Sequence, residues 1–432
     1  MDIRDRQILK IALPSIVSNI TVPLLGMVDV AIVGHMGSAA YIGAVAVGSM
    51  IFNLVYWLFG FLRMGSSGLT SQALGRRDLT EVSRLLLRSL AVAFGIAVWL
   101  IVLQVPLRWL MFWLIAPTTD VAPLAHTYFH LVVWGAPAVL GLYSLTGWYI
   151  GMQNTRIPMA ISIGQNIVNI LASLTLVYAL GMKIEGVALG TVIAQYAGFL
   201  VALGLLWRYY AKIIRKYWDR GSQRLTEGLG RFFTINRDIF LRTLCLIAVN
   251  LFFTSAGARQ GAVILSVNTV MMQLYPFFSY FMDGFAYAGE ALCGRAYGAR
   301  NATAFHETLR RLFLWMALVT GAYTLSYILG GHWIFSLLTD SPEVLSASGE
   351  YLFWACLIPV AGAVAFIWDG VFVGITATRG MLVSSAVSAI LFFVVYQASV
   401  GRMGNHGLWL AQVTYLAMRG LVQTLWYRKA YS

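Results

Sequence analysis

Five ionisable side chains interrupt stretches that are otherwise apolar: Asp29, Arg63, Asp283, Glu290 and Asp369. A carboxylate in such surroundings can exchange a proton or hold a small cation, and a guanidinium can neutralise it or meet an anion. Asp29 follows Pro14 and Pro23 in the run Pro23-Leu-Leu-Gly-Met-Val-Asp29-Val-Ala-Ile-Val-Gly34. Proline removes a backbone hydrogen bond and can kink a helix, so a carboxylate nearby has the setting of a protonation-linked switch. The alternative is a structural carboxylate paired with Arg63 or a hydroxyl; the cost of burial favours the switch.

Asp369, in Trp368-Asp369-Gly370, ranks close to Asp29 as a coupling site. Asp283 and Glu290 are seven residues apart, two helical turns, and project toward similar sides of one helix, as an acidic patch or with Glu290 paired to Arg295. Arg63 is either a partner for a buried acid or a contact for an anionic substrate. Arg242 and Arg419 sit nearer helix ends, where snorkelling is expected. Asn166, Asn169 and Ser173 form one polar stripe, explained equally by ligation and by helix–helix hydrogen bonding. Tyr56, Met282 and Tyr287 are candidates to line a cavity for an amphipathic cation, through cation–π contacts and adaptable methionine packing.

The elements that must hold these groups follow from composition. The chain has 432 residues, 59% hydrophobic and only 11% charged, with a mean hydropathy of +0.75. Too little polar surface is available for a soluble domain, and the hydrophobicity excludes disorder. Twelve apolar runs are long enough to cross a bilayer as helices: about 8–34, 42–73, 84–105, 123–151, 158–181, 186–210, 234–256, 262–294, 308–330, 345–374, 381–400 and 406–427. The predicted fold is an all-α polytopic membrane protein. On this map 23 of the 30 Lys and Arg fall on one side, which places both termini in the cytoplasm. The net charge of +13 is therefore topology, not a nucleic-acid surface.

The basic stretch 208–237 separates an N-terminal lobe (1–210) from a C-terminal lobe (234–432); it reads as a solvated linker at 211–233 in preference to an interfacial segment on anionic headgroups. Sliding the chain so that Gly75 falls on Gly298 aligns the halves at one constant offset. Gly75-Arg76-Arg77-Asp78 then meets Gly298-Ala299-Arg300-Asn301, Gly147 and Gly151 meet Gly370 and Gly374, and Thr155-Arg156 meets Thr378-Arg379. Six spans per repeat make the bundles parallel and related by a pseudo-two-fold axis along the membrane normal, an architecture that binds substrate between halves and alternates access. The scattered Cys245, Cys293 and Cys356 suggest neither a disulfide framework nor zinc. The sequence holds no phosphate-binding Walker loop, HExxH or GxSxG motif, which argues against an enzyme.

Ala-Leu-Pro14-Ser with Met-Val-Asp29-Val-Ala-Ile-Val-Gly34-His-Met-Gly37 resembles the first-helix signature of multidrug and toxic compound extrusion (MATE) transporters. Phe59-Gly-Phe-Leu-Arg63-Met-Gly65-Ser-Ser-Gly68-Leu-Thr70-Ser-Gln72-Ala73 resembles the second helix of their DNA-damage-inducible (DinF) branch. The resemblance implies a cation-coupled antiporter of the bacterial inner membrane exporting organic cations or drugs, without a resident cofactor and acting as a monomer. It makes Asp29 the coupling carboxylate, with Asn169 and Thr191 as polar members of the same site and a place for Na⁺ among the three. Many relatives carry Asp where this chain has Ser173, which favours H⁺ over Na⁺ and leaves Asp29 or Asp369 to carry the coupling. A lipid-linked oligosaccharide flippase of the same superfamily is the alternative.

Overall fold

The computed structural model describes residues 2–34, 38–222, 227–339 and 341–431. His35-Met36-Gly37 of the first-helix signature and residues 223–226 of the expected linker lie outside that set. The described chain is almost wholly helical. Hydrogen bonds closed within each helix are the means by which a single segment satisfies its backbone in hydrocarbon.

The first half comprises α1 (Ile3–Gly34), α2 (Ala39–Leu58), α3 (Phe61–Gly75), α4 (Leu79–Val102), α5 (Gln104–Ile115), α6 (Ala122–Val132), α7 (Ala136–Gly151), α8 (Arg156–Leu174) and α9 (Ile184–Ser222). The second comprises α10 (Leu229–Ala258), α11 (Ala262–Met272), α12 (Leu274–Ala288), α13 (Gly294–Gly298), α14 (Ala302–Leu338), α15 (Pro342–Gly374), α16 (Thr378–Met403) and α17 (Asn405–Tyr431). Among the described residues, ten helical segments are long and apolar enough to cross a membrane, and they match the second to eleventh expected spans. Helices α1 and α17 cover the first and twelfth.

Three features depart from expectation. The second span is broken at Phe59–Gly60 between α2 and α3. The segment after span three forms α5, which has no buried residue and exposes Trp109 and Trp113; at 12 residues it is too short to cross a bilayer and has the make-up of an interfacial helix. The basic linker region is largely helical, because α9 runs on to Ser222 and α10 begins at Leu229.

The chain divides into two compact units, Val17–Gly230 (the N-terminal lobe) and Met1–Ile16 with Arg231–Ser432 (the C-terminal lobe). The start of α1 thus belongs with the second half of the chain, not with residues 17–210. Arg4 Nε pairs with Glu307 at 3.1 Å, Trp315 Nε1 donates to Asp5 at 3.1 Å, and Arg311 pairs with Asp2 and Asp5. Ile51, Phe52, Phe129 and Leu140 centre one apolar core, and Phe253, Met271, Phe335 and Trp409 the other.

The repeat is expressed in the backbone of both lobes. Left-handed φ angles recur at Arg77 (57°) and Arg300 (54°), and at Gln153 (62°) and Thr376 (57°), each pair related by the offset that joins Gly75 to Gly298. Asp78 Oδ1 caps α4 through the Glu81 amide at 2.9 Å, and Asn301 Oδ1 caps α14 through the Ala304 amide at 2.9 Å. A Cβ at Gly147 would lie 2.1 Å from the Arg63 carbonyl oxygen, and one at Gly370 2.2 Å from that of Ala286. Each glycine admits the same close crossing, α7 on α3 and α15 on α12.

Candidate functional site

In the N-terminal lobe, α1 carries Asp29, which is 6% exposed and whose Oδ1 has no hydrogen-bond partner among the described residues. An unpaired buried carboxylate is costly, and a proton or a cation would relieve it. Helix α8 supplies Asn169 and Ser173, both fully buried. Asn169 Nδ2 donates to Thr191 Oγ1 of α9 at 3.2 Å, and Thr191 Oγ1 donates to the Val187 carbonyl at 3.1 Å. Asn169 Oδ1 and Ser173 Oγ are left without partners among the described residues. Gly190, beside Thr191, brings α9 onto this face: a Cβ there would lie 2.2 Å from Ser173 Oγ.

Tyr128 of α6 adds a hydroxyl to this pair. Its hydroxyl meets those of Ser49 and Thr191 and lies within electrostatic range of Asp29. Tyr56, whose buried hydroxyl has no hydrogen-bond partner among the described residues, is in range of Tyr128 and Tyr143. Thr191 and Asn169 are therefore joined to Tyr128, with Asp29 in electrostatic range, and oxygens dominate the groups presented. Sequence reasoning missed Tyr128 and Ser49. Gly48 was a usable signal, since a Cβ there would lie 2.2 Å from the Tyr128 ring. Arg63 is half-buried on α3, in electrostatic range of Tyr143.

Asp369 of α15 sits differently. It is 6% exposed, and Oδ2 accepts from Arg242 of α10 and from Arg419 of α17 at 2.6 Å, while Oδ1 accepts from Gln423 Nε2 at 2.6 Å. The expectation that Arg242 and Arg419 snorkel is thus corrected. Both turn inward to the carboxylate, and Arg419 is only 4% exposed, with its guanidinium 5.8 Å from the Tyr415 ring centroid. Tyr275 of α12 hydrogen-bonds Arg419 and is in range of Asp283 as well.

The remaining expected residues all lie in the C-terminal lobe. Asp283 is half-buried and accepts from Ser279 Oγ at 3.3 Å, Tyr287 is half-buried, and Met282 is fully buried. Glu290 is buried in a π-helical turn, Gly289–Cys293, that follows α12. Asp283 and Glu290 thus differ in their surroundings instead of forming one open acidic face. Among the described residues, no group of three or more His, Cys, Asp or Glu could hold a metal ion.

The MatE family model matches residues 14–175 and 239–397. DNA damage-inducible protein F of Escherichia coli (strain K12) is 37% identical over 98% of this chain and 92% of its own length. A probable multidrug resistance protein NorM of Acinetobacter baylyi is 23% identical, covering 96% of this chain and 93% of its own. Among solved structures, an outward-facing multidrug resistance MATE family transporter of the MOP superfamily superposes with a TM-score of 0.88 at 18% identity, covering 99% of this chain and 95% of that one.

Proposed function

The chain belongs to the MatE family of membrane transporters and is not an enzyme, and from that premise we propose that it is a cation-coupled antiporter that exports amphipathic organic cations or drugs by alternating access. One observation carries the reading: Asp29 is a buried carboxylate with an oxygen that no group among the described residues satisfies. A proton or cation at Asp29 changes the preference between the inward- and outward-facing states, as any coupled ligand must.

The surroundings favour H⁺. Asn169 and Thr191 offer neutral oxygens, and Ser173 adds a hydroxyl instead of a second carboxylate, so a Na⁺ held by Asp29, Asn169 and Thr191 would have one formal charge to balance it. Asp369 already has two guanidinium partners and is the weaker coupling site. The side bias of Lys and Arg supports an inner-membrane protein with both termini in the cytoplasm. The multidrug name carried by the Acinetobacter relative supports a drug-like substrate class.

The test is purified protein in liposomes, with an imposed pH or Na⁺ gradient and an ethidium-type dye. A pH gradient is expected to drive dye movement in the wild type and not in Asp29→Asn. Dye movement unchanged by Asp29→Asn overturns the reading, and movement driven by Na⁺ alone reassigns the ion.

A further inference from the structure

The C-terminal lobe carries a second polar recess, separate from the Asp369 cluster. A cavity of about 650 Å³ lies between the first turns of α10 and the turn leading into α16, lined by Arg231, Arg237, Asp238, Thr376, Thr378 and Arg379 among others. We propose that this recess binds a phosphate-bearing anion, the chemistry shared by an anionic phospholipid headgroup and free phosphate.

Three guanidiniums face one carboxylate here. Asp238 is buried and already engaged, accepting from Arg237 Nη2 at 3.0 Å and from Thr378 Oγ1 at 3.3 Å. Arg231 is oriented by donating from Nη2 to Thr376 Oγ1 at 3.0 Å. Arg379 is exposed and has no carboxylate partner among the described residues. The recess thus holds an excess of positive charge in forks that match phosphate geometry.

The backbone adds to this. Helix α16, 26 residues long, starts at the recess without a side-chain cap, as does its repeat counterpart α8. Its first-turn amides and the positive end of its dipole favour an anion. Thr376 holds a left-handed φ of 57°, an uncommon conformation for a β-branched residue.

The repeat separates this from a by-product of the fold. At the equivalent positions of the first repeat stand Ile8, Pro14, Ser15, Gln153, Thr155 and Arg156, one arginine where the second repeat has three. A positive-inside bias scatters basic residues on cytoplasmic loops, but it does not gather three arginines around one recess.

The test uses the full chain in neutral detergent. Native mass spectrometry follows a titration with phosphatidylglycerol against phosphatidylcholine, and thermal unfolding follows inorganic phosphate against acetate at constant ionic strength. Arg379→Gln is expected to weaken binding about tenfold and Arg231→Gln/Arg379→Gln further, whereas Arg208→Gln on α9 leaves it unchanged. Arg379 is exposed, so its variant tests binding without a risk to folding. A loss in the lipid arm alone assigns a headgroup, and a loss in the phosphate arm alone assigns a soluble phosphate. Equal binding by wild type and both variants in both arms overturns the assignment.

Discussion

Asp29, Asn169 and Ser173 in the N-terminal lobe correspond, through the internal repeat, to Phe252, Phe392 and Tyr396 in the C-terminal lobe. The C-terminal trio is in contact, with the Phe252 ring centroid 5.9 Å from Phe392 and 5.0 Å from Tyr396. The repeated frame therefore brings these three places together, and one lobe fills them with oxygens and the other with aromatic rings. The reverse holds for the charge cluster. Asp369, Arg242, Arg419 and Gln423 correspond to Thr146, Asn19, Tyr196 and Leu200. One lobe leaves a carboxylate oxygen unsatisfied where a proton or cation would complete it. The other surrounds its carboxylate with three donors, the state of a structural ion pair. The shared helices set positions, and the difference in residues decides whether a buried acid is a switch or a brace.

The largest effect that separates these roles is on stability. Asp369→Ala strands two buried guanidiniums and is expected to destabilise the C-terminal lobe by about 3–5 kcal/mol, read as a lowered thermal midpoint in detergent. An unchanged midpoint would remove the brace from the comparison. Asp29→Asn is expected to leave the midpoint in place while gradient-driven efflux falls about tenfold or more; a fall in stability as large as that of Asp369→Ala would make Asp29 structural too. Gly147→Val and Gly370→Val should each cost about 1–3 kcal/mol, because both side chains would meet a backbone carbonyl. Unequal costs would show that the two crossings are not equivalent. The smallest change is Ser173→Asp, which adds a second carboxylate beside Asn169. It is expected to shift the efflux response toward Na⁺ by about fivefold in the liposome assay, and no shift would place Ser173 outside the ion's reach.

Much of this comparison was legible in the sequence. Long apolar runs marked the spans, and the constant offset marked the repeat, because each close crossing demands a small residue at a fixed place, as at Gly147 and Gly370. Asp29 stood out because nothing apolar explains it. The partnership of Arg242 and Arg419 with Asp369 did not show, since 127 and 50 residues separate them from it and proximity to a helix end suggested snorkelling. Tyr128 was hidden for a related reason: a tyrosine in a span is ordinary, and only packing against Gly48 and Thr191 gives it a role. Helix α5 was missed because 12 residues of aromatic sequence carry neither a spanning length nor loop residues.

The ion pairs at the start of α1 also set an order of events during synthesis. Asp2, Arg4 and Asp5 leave the ribosome well before their partners Glu307, Arg311 and Trp315, which lie about 300 residues later. At roughly 5–20 residues per second, the first turns of the chain wait about 15–60 seconds for the groups that hold them. The opening segment of the protein is among the last to reach its final contacts, and a nascent chain stalled before α14 would present it with its charges unmet.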